Sequence, residues 1–305
     1  MLLEADLKNR TREPQLFYSL SFRKKQTFAI VANPASGSLS FNKKFRILKK
    51  ASRILKAPIY GLDTTCRKEF RECIKAASEK HDVIVAAGGD GTFSDAINSI
   101  DLERNAIGYL PLGRGNAIRY ALKYPSDPLM CAHKIRYGRI ERVDLIRCNR
   151  IGYFFMGSVG IEAEVLKQKG KSYVLKTLSA LKKIQNFSLS ATLFLNGRKI
   201  HCKNAASIVF AKQPFYGYGM KIIPQAGFKD GLIHIGVFPS GFLKLLLMIV
   251  LSFSAGNFMG QHYTCKDEAF LRLEKKQAVQ VDGDVALSCK KLHFRLKRGI
   301  LKVVV

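Results

Sequence analysis

The chain has 305 residues, 47% of them apolar and 24% charged, proportions that exclude wholesale disorder and a fibrous repeat and fit two domains of ordinary size. Its balance is strongly basic, 51 Lys and Arg against 23 Asp and Glu for a formal charge of +28, so its surface attracts polyanions: nucleic acid, an anionic bilayer or phosphorylated ligands. Seven cysteines without a Cys-x-x-Cys pair and six scattered histidines argue against a disulfide framework and a zinc ribbon.

Met1 to Gln26 carries charges throughout and lacks the apolar stretch of a signal peptide, so a cytoplasmic protein is expected. From Thr27 the pattern alternates. Phe28 to Ala32 is a short apolar strand stopped by Asn33-Pro34. A helix follows around Phe41, Phe45, Leu48 and Leu55, then a short segment at Ile59 and Tyr60. On a second helix Cys66, Phe70, Cys73, Ile74 and Ala77 share one face. Val83 to Ala87 is the next buried strand, running into Gly88-Gly89-Asp90-Gly91-Thr92 and a helix through Phe93, Ala96 and Ile97. Ile107 to Leu110 repeats the plan, breaking at Pro111-Leu112-Gly113-Arg114-Gly115-Asn116 before a helix through Ile118, Tyr120 and Leu122. Strand, loop and helix repeated in this way imply a parallel sheet covered by helices, with ligands bound beyond the carboxyl ends of the strands.

After Arg139 to Asp144 the segments become β-rich: Tyr153 to Met156, Ser188 to Leu195, Ala206 to Ala211, Leu232 to Phe238, Ala269 to Leu273, Ala278 to Val281 and Leu292 to Val305. Asn196-Gly197 marks a hairpin. Two helices interrupt this half, one from about Lys171 to Asn186 and an apolar run from Gly241 to Ala255 that is short of the ~20 residues needed to span a bilayer. The expected division is an N-terminal extension over 1–26, an α/β nucleotide-binding domain over 27–145 and a β-rich domain over 146–305.

Gly88, Gly89 and Gly91 let the backbone turn sharply and bring N–H groups against a phosphate, with the positive end of the next helix behind them. Asp90 in such a loop would repel a polyphosphate unless it holds Mg2+ or manages a proton. An ordinary capped turn into a helix fits the same letters. Asp284 can likewise be a carboxylate on a working loop or part of a hairpin with Asp-Gly at its turn, and Arg114 can reach a phosphate or lie solvated.

Taken in order, Asn33-Pro34-Ala35-Ser36-Gly37-Ser38, the Gly-Gly-Asp-Gly-Thr loop and Pro111 to Ala117 resemble the diacylglycerol kinase catalytic family, which includes bacterial lipid kinases, sphingosine kinases and ceramide kinases. Later features continue the resemblance: Val143-Asp144, Gly157-Ser158-Val159-Gly160, Pro224-x-Ala226 with Asp230-Gly231, and Asp282-Gly283-Asp284. It implies an N-terminal three-layer α/β domain and a C-terminal β-sandwich, with ATP and a lipid hydroxyl meeting between them. By that likeness Asn33, Pro34, Ser36, Gly37, Gly88 to Thr92, Gly113, Arg114, Gly115 and Asn116 hold the nucleotide. Asp90 acts near Mg2+, Asp284 accepts the hydroxyl proton in the place where many relatives have Glu, and Asp230 belongs to a second Mg2+ site. Gln225 stands where an acidic residue is common, and Asn116-Ala117 replaces the Asn-Asp of many bacterial relatives.

The implied acceptor is a lipid. Val174, Leu178 and Leu181 with Lys167, Lys169, Lys171, Lys176, Lys182 and Lys183 around them suit peripheral docking to an anionic inner membrane surface, and equally a core-packed helix with a solvated face. Phe215, Tyr216 and Tyr218 can line an acyl pocket or form a turn. Specific nucleic-acid recognition is not expected, because the basic residues are spread along the chain. Two other readings are an NAD kinase, which shares Gly-Gly-Asp-Gly-Thr but lacks this opening loop and third loop, and a non-catalytic basic protein bound to nucleic acid or membrane.

Overall fold

The computed structural model describes residues 26–37, 39–166, 187–241 and 260–305. The N-terminal extension, the expected helix from about Lys171 and nearly all of the apolar run after Gly241 lie outside the described residues.

Four parallel strands open the fold: β1 (Phe28–Ala32), β2 (Ile59–Tyr60), β3 (Val83–Gly88) and β4 (Ala106–Pro111), in the spatial order β4-β3-β1-β2. β1, β3 and β4 are buried along their whole length, as continuous apolar runs in a sheet covered on both faces must be. The covering helices are α1 (Phe41–Leu55), α2 (Arg67–Lys80), α3 (Asp90–Ile97), α4 (Ala117–Ala121) and α5 (Pro128–Tyr137). α1 packs on α5, while α2 packs on α3 and on the sheet.

The inward face of α1 is not its aromatic one. Phe41 and Phe45 are exposed and stacked on each other, with ring centroids 6.2 Å apart. The buried stripe is Lys44, Leu48, Ala51 and Leu55, whose spacing of four, three and four places them on one side of the helix. On α2 the buried stripe is Phe70, Ile74 and Ala77, whereas Cys66 precedes the helix and is exposed.

The second region is antiparallel and sandwich-like. It comprises β5 (Ile140–Cys148), β6 (Gly152–Phe154), β7 (Met156–Gly160), the short helix α6 (Ile161–Leu166), β8 (Leu189–Leu195), β9 (Arg198–Ala211), β10 (Ile233–Pro239), β11 (Gln261–Cys265), β12 (Glu268–Val281) and β13 (Asp284–Val304). Its core gathers Leu193, Phe210, Ile235, Leu271 and Phe294, with Phe210 and Phe294 stacked at 3.8 Å. Asn196 and Gly197 both take positive φ, 50° and 72°, forming the two-residue turn between β8 and β9.

β13 joins the two regions. It pairs antiparallel with β12 and β5, and near its end Lys302 and Val303 pair in parallel with Ala106 and Ile107 of β4. The open edge of β4 is thereby covered by the far end of the chain, and the Tyr124 hydroxyl donates to the Val304 carbonyl beside it. The architecture is an α/β domain followed by a β-sandwich, with the β12–β13 hairpin turned toward the glycine loops.

Candidate active site

Three loops leave the carboxyl ends of β1, β3 and β4. In the first, Asn33 Oδ1 accepts the Ala35 N–H at 2.9 Å and the Ser36 hydroxyl donates to the Asn33 carbonyl at 3.0 Å. Beneath it sits Lys44, 1% exposed, whose ammonium donates to the carbonyls of Asn33, Pro34 and Ser36 at 3.1, 2.8 and 2.7 Å. Burial pushes its pKa down, because desolvation penalises the charged form.

The second loop opens α3. Here close approach requires glycine: a Cβ on Gly113 of the third loop would stand 2.3 Å from Gly89 Cα. A Cβ on Gly91 would stand 3.0 Å from Asp284 Oδ2, which reaches over the loop from the β12–β13 hairpin. The third loop is tied internally by Asn116, whose Oδ1 accepts from the Tyr109 hydroxyl at 3.0 Å and the Gly113 N–H at 3.1 Å.

The Asp90 carboxylate, expected near Mg2+, is turned toward α4. Its Oδ2 and Oδ1 accept the Ala117 and Ile118 N–H groups at 2.9 and 3.0 Å, so it bonds the first turn of α4 and fastens the second loop to the third. Burial raises its pKa against the pull of these hydrogen bonds.

Asp282 and Gly283 form the hairpin turn, with φ of 44° and 88°. Asp282 is turned inward, accepting the Met156 N–H at 3.0 Å and lying near the Phe155 N–H, and burial pushes its carboxyl up to about 7. Gln280 braces the same turn, accepting the Gly283 N–H at 3.2 Å and donating to the Ser158 hydroxyl at 2.9 Å. Asp284 is left facing the cleft, half exposed, with Oδ2 3.3 Å from an Arg67 guanidinium nitrogen. The Nε of Arg67 also holds buried Asp95 at 2.8 and 3.0 Å, and Arg71, one turn on, shares its Oδ1 at 2.7 Å.

These parts enclose a cavity of about 320 Å³ whose walls include Asn33, Ser36, Thr65, Arg67, Gly91 and Asp284. Pro34, Gly89 and Thr92 line it too. Gly37, Gly88, Asp90, Gly113, Gly115 and Asn116 do not, packing the loops together instead, and neither does Arg114, which is exposed.

Lys44, Thr65, Arg67 and Asp95 were not expected from sequence, yet signals existed. Lys44 falls in phase with Leu48, Ala51 and Leu55, and Thr65 with Glu69 marks a helix start, the Thr65 N–H and hydroxyl both donating to Glu69 at 2.8 and 2.9 Å.

Asp230, expected at a second Mg2+ site, is engaged by other side chains. Its carboxylate is 2.5 Å from Lys212 Nζ and 2.7 Å from His234 Nε2, so an ammonium stands where a cation was expected. Burial raises its pKa, but hydrogen bonds from Lys212, Leu232 and His234 outweigh that and hold it below the usual carboxylate range. Among the described residues no three His, Cys, Asp or Glu side chains converge as a metal site.

Of the aromatic trio, Tyr218 is 63% exposed, while the Tyr216 hydroxyl accepts from Gln280 at 3.3 Å and burial raises its pKa. The trio forms a turn against the third loop, where the Tyr218 N–H donates to the Gly115 carbonyl at 2.9 Å.

The profile of the diacylglycerol kinase catalytic domain matches residues 27–148, and that of the YegS C-terminal NAD kinase beta sandwich-like domain matches 158–305. The chain belongs to the diacylglycerol kinase catalytic-domain family. A diacylglycerol kinase of Bacillus subtilis is 23% identical to this family member over 279 residues, 84% of this chain and 88% of that protein. An uncharacterized protein of Synechocystis sp. is 28% identical over 70% of this chain, the match spanning 54% of its length, and a diacylglycerol kinase of Staphylococcus saprophyticus is 30% identical over 39% of this chain and 40% of its own. The chain therefore matches only about half or less of these last two relatives. In fold, a diacylglycerol kinase structure from Bacillus anthracis superposes with a TM-score of 0.68 over 92% of this chain and 96% of that one, at 16% identity. An NAD kinase from Archaeoglobus fulgidus in complex with ATP superposes at 0.50 over 92% and 94%, at 13% identity.

Proposed function

We propose that this protein transfers the γ-phosphoryl group of ATP to the hydroxyl of a lipid, diacylglycerol-like or sphingoid-like. The observation that carries the proposal is Asp284: a carboxylate from the β-sandwich reaches the glycine loop at a cavity otherwise built by the first domain, from its first two loops and the start of α2.

In this reading the phosphates lie over the first and second loops. The N–H groups at the start of α3 face them, and the Lys44 ammonium adds positive potential from below. Phosphoryl transfer asks mainly for positioning, charge neutralisation and a proton acceptor. Asp284 Oδ2 takes the hydroxyl proton, and Arg67 fixes that carboxylate while facing the cavity where the transferred group would lie. Asp90 acts by position, holding α4 and the third loop against the second. Mg2+ enters as part of the MgATP substrate and neutralises charge on its phosphates.

The family supports a lipid acceptor, and the charge of +28 suits peripheral docking on an anionic membrane face, each basic residue near such a surface contributing about 1 kcal/mol. No helix among the described residues is long and apolar enough to cross a membrane.

The test is transfer of labelled γ-phosphate from MgATP to diacylglycerol, phosphatidylglycerol, sphingosine and undecaprenol in mixed micelles, with NAD as a control acceptor. Label in one lipid, reduced on the order of 100-fold or more by Asp284→Asn in a folded protein, is the expected outcome. Label in NAD alone would replace the lipid reading with that of a nucleotide kinase. A folded Asp284→Asn protein with undiminished turnover would remove Asp284 from the reaction.

A further inference from the structure

Where β9 ends, three oxygens converge on one buried nitrogen. Lys212 Nζ lies 2.5 Å from Asp230 Oδ1, 2.7 Å from the Leu232 carbonyl and 3.0 Å from Asp144 Oδ2, and its side chain is 0% exposed. Two carboxylates and a backbone carbonyl around a buried point are the donors that hard divalent cations prefer.

The oxygens are also aimed from behind. Asp144 accepts the Gly231 N–H at 3.1 Å and the Gly299 N–H at 2.8 Å. Asp230 accepts the Gly227 and Leu232 N–H groups at 2.9 and 3.1 Å, and its Oδ2 lies 2.7 Å from His234. The cage is thus oriented by backbone donors independent of Lys212. It draws together β5, the end of β9, the 227–232 loop and β13. Phe228 of that loop packs edge-on against Phe155 at 4.9 Å, and Phe155 packs against Phe93 of α3 at 6.0 Å, so the cage lies behind the candidate active site.

We infer that Lys212 is a built-in substitute for a structural divalent cation: its ammonium fills an oxygen cage that would otherwise recruit a metal ion, and pins the 227–232 loop without one. Charge balance supports this. Without the ammonium, Asp144 and Asp230 would face each other across the buried point with only N–H donors and His234 to offset them.

The experiment uses the full chain without nucleotide, so that ions carried by ATP do not interfere. Thermal melting is followed in EDTA and in millimolar Ca2+ or Mn2+, and Mn2+ binding is read by electron paramagnetic resonance. The wild type should melt at the same temperature in all three and hold no tightly bound Mn2+. Lys212→Ala should melt lower in EDTA, regain more than half of the loss with Ca2+ or Mn2+, and bind one Mn2+ that Lys212→Ala/Asp230→Asn does not bind.

A wild type whose melting temperature falls in EDTA, with that response lost in Asp230→Asn, would overturn the inference whatever the Lys212 variant does. A folded Lys212→Ala that neither binds Mn2+ nor regains stability would overturn it as well. If Lys212→Ala is unfolded in EDTA, circular dichroism replaces melting: refolding on addition of Mn2+ supports the inference, and a chain unfolded in both solutions defeats it.

Discussion

Among the described residues two lysines are almost wholly hidden, Lys44 at 1% and Lys212 at 0% exposure, and they are hidden in opposite ways. Lys212 meets two carboxylates and a carbonyl, so its charge is matched within the fold. Lys44 meets the carbonyls of Asn33, Pro34 and Ser36, which solvate an ammonium without cancelling its charge. A buried cation is costly unless paired, and carbonyls alone leave a field that an incoming anion can use. The first arrangement suits a scaffold and the second suits the proposed nucleotide site.

This contrast is most sharply broken by Lys212→Met. It strands Asp144 and Asp230 and should cost about 3–5 kcal/mol, roughly 10 °C in melting temperature for a chain of this size, in metal-free buffer. Among folded molecules ATP affinity should stay within a factor of about 3. A melting temperature unchanged by this variant would mean that the cage contributes nothing to the scaffold.

Asp282 tests the scaffold through pH. Its carboxyl is raised in the fold from the usual 3.8 to about 7, so the folded state holds its proton where the unfolded chain has lost it. Stability from this group is full below the unfolded value and declines as pH rises from about 4 to about 7, by up to about 4 kcal/mol. Asp282→Asn, which also tolerates positive φ, should flatten that part of the stability curve measured by denaturant melts from pH 4 to 8.

Lys44→Met should behave as the mirror image of Lys212→Met. Nucleotide dissociation constants should rise about 10- to 100-fold, equivalent to about 1.5–3 kcal/mol, while melting shifts by only a few degrees. Calorimetric titration with ATP beside a thermal melt separates the two quantities. A variant that melts far lower yet binds normally would erase the distinction between the two lysines.

The smallest effect concerns Arg67, which spans both categories by holding Asp95 within the first domain and Asp284 across the cleft. In a double-mutant cycle of Arg67→Ala and Asp284→Asn, kcat should show coupling of about 0.5–3 kcal/mol. If the two losses simply add, Arg67 does not act through Asp284.

Much of this was legible in the chain. The all-apolar strands and the glycine loops that stop them placed the parallel sheet and the carboxyl-end site, because both are local patterns. The Asn196-Gly197 hairpin was equally local. What escaped was directional or distant. Phe41 and Phe45 helped mark α1 as a helix, but hydropathy alone does not tell that both stay exposed while Lys44, in phase with Leu48 and Leu55, turns inward. Asp90 carries the motif, but its carboxylate is claimed by N–H groups of α4, a partner that no spacing within the motif announces. The neutralisation of Asp230 depends on Lys212, fixed by tertiary packing rather than by neighbouring letters.

The parallel pairing of Lys302 and Val303 with β4 has a consequence for biosynthesis. A ribosome adding about 5–20 residues per second needs roughly 10–40 s to travel from Ala106 to Lys302. For that interval the nascent nucleotide-type domain presents β4 as an unpaired edge, and the Tyr124 hydroxyl waits for its Val304 partner. The early domain must either pair that edge provisionally or be shielded by a chaperone until β13 is made.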